Sequence, residues 1–249
     1  MNHDDDLLAR GLALLPNLCP PPLLDEADAA INYDLDHHYD PARQQEYDHL
    51  SYCPELRKAP AIEALLTRSG IQPHLDRLFG WRNLRYHDGQ IAIRRPHNAP
   101  TPEPPSPHID GIPGPHNGVR GARLSNFTAL VGVFLSDTPR DFAGNFTVWP
   151  GSHRTLEAHF RDRGRRTLRE GMPAVDLGAP EQLMVRRGDV ILCHYQLGHA
   201  AAVNTSAVER RAVFFRLWLK GLPLRRWHYL TNIWSGWRIP AENDRTSPS

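Results

Sequence analysis

The chain has 249 residues, 40% of them hydrophobic and 23% charged, with a formal net charge of +1. That length suits one domain with a sizeable core, and the near-neutral charge argues against electrostatically driven binding to nucleic acid or an anionic membrane. Its three cysteines, Cys19, Cys53 and Cys193, contain no Cys-x-x-Cys pair, which argues against a disulfide framework and a cysteine-based zinc site and suits a reducing cytosol.

Met1-Asn2-His3-Asp4-Asp5-Asp6 is acidic, the reverse of a secretory signal, and no apolar run reaches the length of a membrane span. A cytoplasmic location is therefore expected, and the Asn-x-Ser/Thr triplets at Asn126, Asn145 and Asn204 read as turn chemistry. Residues 1–60 are polar and mixed, with a short helix expected over Leu23–Ile31 after the Pro20-Pro21-Pro22 run. Pro60 opens a helical pattern that continues through Ile71, Leu75, Leu78 and Phe79, with a break near Gly70. Ile91–Arg95 reads as a strand, and the proline-rich stretch 96–107, which cannot pair in a sheet, reads as a loop over an opening. Further strands are expected at Phe127–Leu135, Asn145–Trp149, Gln182–Val185, Val190–His194, His199–Val203 and Ala212–Leu219. One or two helical turns are expected at Thr155–Arg161. Arg163-Gly164-Arg165-Arg166 reads as a solvated loop. Short strands separated by Gly, Pro and Asn favour a closed or double-sheet β architecture. The aromatic stretch Trp227–Ile239 either packs across the sheet or lines a pocket, with Trp227, Tyr229, Trp234 and Trp237 as the residues at issue.

Four His-x-Asp triplets occur, at His3/Asp5, His38/Asp40, His74/Asp76 and His108/Asp110, so the triplet alone does not discriminate. Residues two apart share a face on a strand and diverge on a helix. His3 lies in a terminus, His38 in a polar segment without strand character, and His74 in or beside a helical stretch. His108 follows Pro107, which favours extended backbone, and Asp110 precedes the strand-ending Gly111-Ile112-Pro113-Gly114. The third ligand comes from His199 or His194; His199, followed by the small residues Ala200-Ala201-Ala202, leaves more room beside it and is preferred. Two imidazoles and a carboxylate form the facial set of non-haem Fe(II) oxygenases. Three protein ligands leave positions for a chelating 2-oxo acid and dioxygen, although zinc with a bound water uses the same donors. An arginine at the start of the next strand, Arg210 or Arg211, is placed to grip the free end of 2-oxoglutarate. Strand alternation lets only one of the pair face inward.

Four segments resemble the phytanoyl-CoA dioxygenase family: His108-Ile109-Asp110, the run Gly144–His153 with its Pro150-Gly151-Ser152-His153 turn, Gly188-Asp189-Val190-Ile191-Leu192, and His199 through Asn204-Thr205-Ser206 to Arg210. The resemblance covers roughly residues 85–220. It implies a double-stranded β-helix, or jelly roll, with helices outside: residues 1–84 as an N-terminal elaboration, 85–220 as the core and 221–249 as an aromatic tail. It implies Fe(II) at His108, Asp110 and His199, with 2-oxoglutarate and O2 as co-substrates. Oxidative decarboxylation to succinate and carbon dioxide would be coupled to oxidation, usually hydroxylation, of a small-molecule or acyl substrate.

The family's arginine lies eleven residues beyond the distal histidine, which is Arg210 here. Where the family often has a hydroxyl, two residues beyond that histidine, this chain has Ala201. A replacement donor is expected from Thr128, Arg95 or Tyr195. Asp110 disfavours a halogenase, in which a small residue replaces the carboxylate. His153 and Asn204 are expected to brace turns, and Cys193 to be a core residue. Nothing demands an acyl-CoA, since charges that would hold its phosphates are not clustered. The rival classes are a non-catalytic jelly-roll binding protein and a zinc hydrolase, and a monomer or homodimer is expected in each case.

Overall fold

The computed structural model describes residues 3–98, 101–114 and 119–239. Two antiparallel sheets face each other. The larger contains β1 (Leu12–Leu15), β2 (Leu84–Arg94), β3 (Ala129–Phe134), β6 (Val190–His194) and β8 (Arg210–Leu219), in the order β1-β6-β3-β8-β2. The smaller contains β4 (Phe146–Val148), β5 (Glu181–Gln182) and β7 (His199–Ala201), in the order β5-β4-β7. This is the jelly-roll arrangement the sequence resemblance implies.

Strand alternation gives the large sheet two different faces. Ile91, Val131, Leu192, Val213, Phe215 and Leu217 point outward and are buried under a helical layer. That layer comprises α2 (Pro21–His38), α4 (Pro60–Thr67) and α5 (Ile71–Phe79). Each contributes an apolar face: Leu24, Ala27 and Ile31 from α2, Ile62, Leu65 and Leu66 from α4, and Leu75, Leu78 and Phe79 from α5. Each such side chain contributes roughly 1.5–3 kcal/mol on burial. Leu130, Phe134, Ile191, Ala212 and Phe214 point the other way, toward Phe146, Val148 and Ala200 of the small sheet. A cavity opens between these inner faces.

The expected strands occur with shifted ends. β2 extends to eleven residues because it pairs with β8 from Leu84 to Arg94, across a register shift between Tyr86 and Gly89. Pairing near 182 is confined to Glu181–Gln182. The pattern from Pro60 to Phe79 divides into two helices, as the break near Gly70 suggested. α2 is twice as long as the apolar run implied, since Pro21 occupies its first turn, where a missing N–H costs nothing. Four further α-helices are described: α1 (His3–Arg10), α3 (Gln44–His49) and α6 (Ser152–Arg163) lie before β5, and α7 (Arg226–Thr231) follows β8. The aromatic tail packs rather than lining the cavity: Trp237 meets Phe79 edge-on at 4.5 Å, and Trp234 meets His153 at 5.5 Å. Among the described residues no helix is long and apolar enough to cross a membrane. Asn126, Asn145 and Asn204 are all buried.

Gly132 in β3 sits beneath the Phe214 ring, and a methyl group there would lie 2.7 Å from Phe214 Cε1 and 2.9 Å from Ile191 Cγ1. Gly132→Val should therefore overpack the inner face and cost roughly 1–3 kcal/mol of stability. Urea unfolding checks this: the midpoint should fall while the slope stays at its wild-type value.

Candidate metal centre

His108 and His199 are brought together by the backbone. His108 N–H donates to the His199 carbonyl at 3.0 Å, and His199 N–H donates to the His108 carbonyl at 2.9 Å. This reciprocal pair adds one rung to the free side of β7. Directly opposed residues in such a pair project to the same face, and the two rings lie 4.5 Å apart. Ile109 turns away into the inner core, fully buried, and Asp110 returns to the histidine side. Gly111 then bends the chain at φ +75°, where a side chain would strike the Ser125 carbonyl at 2.5 Å.

His108 Nε2 lies 3.8 Å and His199 Nε2 4.0 Å from Asp110 Oδ1. One donor atom from each of the three residues falls within 4.8 Å of the others, and no other such group of His, Cys, Asp or Glu occurs among the described residues. His199 Nδ1 is 3.0 Å from the Leu197 carbonyl. That contact requires a proton on Nδ1 and leaves the Nε2 lone pair facing the site. Phe146 stacks on the same ring at 5.4 Å. Asp110 is buried; burial alone would raise its pKa, but Arg216, His199 and His108 more than offset this and hold it well below the usual carboxylate range. Two nitrogen donors and one ionised oxygen donor, clustered on one side of an open cavity, suit a divalent first-row metal.

The cavity has a volume of about 1030 Å³ and contains all three residues together with Arg210. Arg210 is 2% exposed. Its Nε donates to Gly144 O at 2.7 Å and its Nη1 to Ala92 O at 3.1 Å, yet no described carboxylate lies within ion-pair distance. Burial, with Arg94 nearby, pushes its pKa down to about 9. A buried guanidinium facing a cavity without an anion is an incomplete ion pair. Arg211 projects to the other face, bonded to Asn32 and Glu209, as strand alternation requires.

The other expected donors are placed differently. Thr128 is not in the cavity wall: its Oγ1 accepts from Leu219 N at 3.1 Å, closing the end of β8. Arg95 reaches the wall, but its guanidinium lies 4.3 Å over the Tyr39 ring, donates to Tyr39 Oη at 3.0 Å and faces Glu209 at 3.3 Å. Tyr195 is buried, its hydroxyl has no hydrogen-bond partner among the described residues, and it lies outside the cavity wall. Asn204 ties the turn before β8, donating to Arg94 O and Val208 O and accepting from Ser206. His153 departs from expectation: both ring nitrogens are buried without a hydrogen-bond partner, and the ring packs in an aromatic cluster with His194 and Trp234. Arg216, which the sequence reading passed over, donates through Nε to Asp110 Oδ2 at 2.8 Å. Its signal was its position six residues beyond Arg210, on the same face of one strand.

A family model for phytanoyl-CoA dioxygenase matches residues 23–212. No curated protein matches the chain. Among solved structures, it is similar to the non-heme monooxygenase ThoJ in its nickel complex, with 17% identity over 88% of this chain and 77% of that one and a TM-score of 0.58. SnoK, a non-heme alpha ketoglutarate dependent carbocyclase from nogalamycin biosynthesis, shares 19% identity over 90% and 89% of the two chains at a TM-score of 0.57. HygX from Streptomyces hygroscopicus, with nickel and 2-oxoglutarate bound, shares 16% over 86% and 85% at 0.54. At these identities the likeness is one of fold.

His194, the rejected ligand, is a core imidazole: its Nε2 donates to Ile233 O and its Nδ1 accepts from Gln196 N. Burial pushes His194 down to about 4, and burial with the neighbouring His194 and Arg154 pushes His153 down to about 3. Both rings stay neutral in the folded state where an unfolded histidine gains a proton, so their contribution is complete above about pH 6.5 and lost as pH falls below it. Each group should remove about 1.4 kcal/mol per pH unit between pH 6 and 4. Stability measured by urea unfolding across that range should show this slope, and His194→Gln should roughly halve it.

Proposed function

The chain belongs to the phytanoyl-CoA dioxygenase family, and on that premise we propose that it is an Fe(II)- and 2-oxoglutarate-dependent oxygenase that hydroxylates a small polar molecule. In this reading His108, Asp110 and His199 hold the iron and Arg210 binds the far carboxylate of 2-oxoglutarate. The observation that carries it is the buried Arg210 guanidinium, which faces the same cavity as the ligand trio and has no carboxylate within ion-pair distance among the described residues. A zinc hydrolase would use the same three ligands, but it would have no use for that cation.

Iron(II) with 2-oxoglutarate supplies oxidising chemistry: the co-substrate becomes succinate and carbon dioxide as a substrate carbon is oxidised by dioxygen. The protein supplies placement. Arg210 offers charge-assisted donors to the acid tail, while its two carbonyl partners fix the guanidinium plane. Leu130, Phe146 and Phe214 keep the inner cavity wall apolar. Ala201 stands in that wall without a hydroxyl.

Away from the metal trio the wall is polar. Gln44, Asp48 and His49 from α3, and His97 and Ser106 from the proline-rich loop, line it. A bare acyl chain laid against these groups would press hydrocarbon on charged and polar side chains and cut them off from water at a cost, which supports a substrate carrying hydroxyl or amino groups. We also infer a cytoplasmic location, in keeping with three buried free thiols.

Anaerobic addition of Fe(II) and 2-oxoglutarate should produce a visible charge-transfer band, and Asp110→Ala should abolish both the band and succinate formation. Arg210→Ala should weaken 2-oxoglutarate binding about 10- to 100-fold, the equivalent of one charge-assisted hydrogen bond of about 1.5–3 kcal/mol, while metal binding persists. Unchanged co-substrate affinity in the Arg210 variant would overturn its assignment. Zinc rather than iron in anaerobically purified protein, with no band, would overturn the oxygenase reading.

A further inference from the structure

Along the inner face of β8 the side chains run Arg210, Ala212, Phe214, Arg216. The first arginine is the candidate co-substrate anchor; the second lies beside the metal trio and is half-exposed to the cavity. Arg216 Nε donates to Asp110 Oδ2 at 2.8 Å and Nη1 donates to Gln90 Oε1 at 2.8 Å. Gln90 stands on β2, where it pairs with Phe214 of β8. The guanidinium carbon lies 6.0 Å over the Phe127 ring. Three contacts from three parts of the fold therefore fix its plane.

The two oxygens of Asp110 have different tasks. Oδ1 faces both imidazole Nε2 atoms at 3.8 and 4.0 Å, while Oδ2 is held by Arg216. A free carboxylate can present both oxygens to an ion, or rotate and present neither. We propose that Arg216 is a positioning residue of the metal centre: by occupying Oδ2 it restricts Asp110 to one-oxygen coordination through Oδ1. The inference rests on the metal-centre reading above and extends it to a residue outside the ligand trio.

The consequence concerns what remains open on the ion. One oxygen from Asp110 and one nitrogen from each histidine would leave a bound ion open to other ligands. A second Asp110 oxygen would occupy part of the space a chelating 2-oxo acid requires. Arg216 does this without becoming a ligand, because a guanidinium stays protonated and has no lone pair to offer. Lysine in its place would keep the charge but lose the planar fork that reaches Asp110 and Gln90 together.

The test uses full-length protein stripped of metal, Ni(II) titration calorimetry and the visible spectrum of the Co(II)-loaded form. Arg216→Gln should raise the Ni(II) Kd about 10- to 100-fold, the range typical of partners that orient a ligand, and should change the intensity of the Co(II) bands, which reports coordination number. Arg216→Lys should restore part of the affinity, and Gln90→Leu should shift both readouts in the same direction by less. A purely structural role would lower the thermal midpoint and leave the Co(II) spectrum of the folded fraction as in wild type. If Arg216→Gln matches wild type in both Kd and spectrum, the inference is wrong and the metal site stands. Should that variant fail to fold, Gln90→Leu and Arg216→Lys decide by the same two readouts. Wild-type protein that binds neither Ni(II) nor Co(II) overturns the metal-centre reading, and this inference with it.

Discussion

Two reciprocal backbone hydrogen bonds between His108 and His199 set the geometry of the whole site. The residues are far apart in sequence, and neither belongs to a long strand: β7 is three residues and the segment at 108 contributes a single rung. The pairing is nevertheless specific, because strand side chains alternate. A slip of one residue would set Ile109 or Ala200 where an imidazole belongs and would turn Asp110 toward the core. Burial of Ile109 opposes that slip, since exposing an isoleucine costs roughly 1.5–3 kcal/mol. Packing on the apolar side of the rung thus fixes the polar side.

β8 is the second fixed line. It pairs with both β2 and β3, so its register is held from two sides. That matters because its inner face carries Arg210 and Arg216, and the outer face packs Val213, Phe215 and Leu217 against the helices. The two guanidiniums meet different fates. Arg216 is neutralised by Asp110, and the ion pair is shared with the two imidazoles. Among the described residues Arg210 has only carbonyl partners and a cation, Arg94, nearby. Burial of an unpaired charge destabilises a fold, and the cost falls when an anion enters the cavity. Binding a dicarboxylate would relieve that electrostatic cost, which couples occupancy to stability.

The cavity's outer wall is built differently from its floor. The floor comes from strands, while the wall comes from α3 and the proline-rich loop. α3 is a short helix held by polar contacts: Tyr52 Oη donates to Asp48 Oδ1 at 2.8 Å, Gln44 Nε2 donates to Asp48 Oδ2 at 2.8 Å, and Tyr39 Oη donates to Gln44. Arg95 lies over Tyr39 and ties this network to the end of β2. A wall assembled from side-chain hydrogen bonds can change its residues without disturbing the segments that carry His108, Asp110 and His199. The outer wall and the candidate metal centre therefore sit on separable parts of the chain.

The same separation explains what could be read from the sequence. The convergence of His108, Asp110 and His199 was expected from strand spacing and a preceding proline, whereas the inward placement of Arg210 rather than Arg211 was expected only through the family resemblance. Arg216 carried a mark as well, its even offset from Arg210, but its role depends on Asp110, a residue on a different segment. Thr128 was assigned to the cavity by its residue type, whereas its hydroxyl is used within the sheet to accept the Leu219 N–H. The aromatic tail was ambiguous because a tryptophan that packs and one that binds have the same composition; only the contact of Trp237 with Phe79 decides it. His153 shows the limit most clearly. Its Pro-Gly-Ser-His setting suggested a turn brace, yet the positive φ of Gly11 and the lack of a side chain there let the imidazole sink against the backbone of another segment. That pairing is long-range, and no pattern near His153 encodes it.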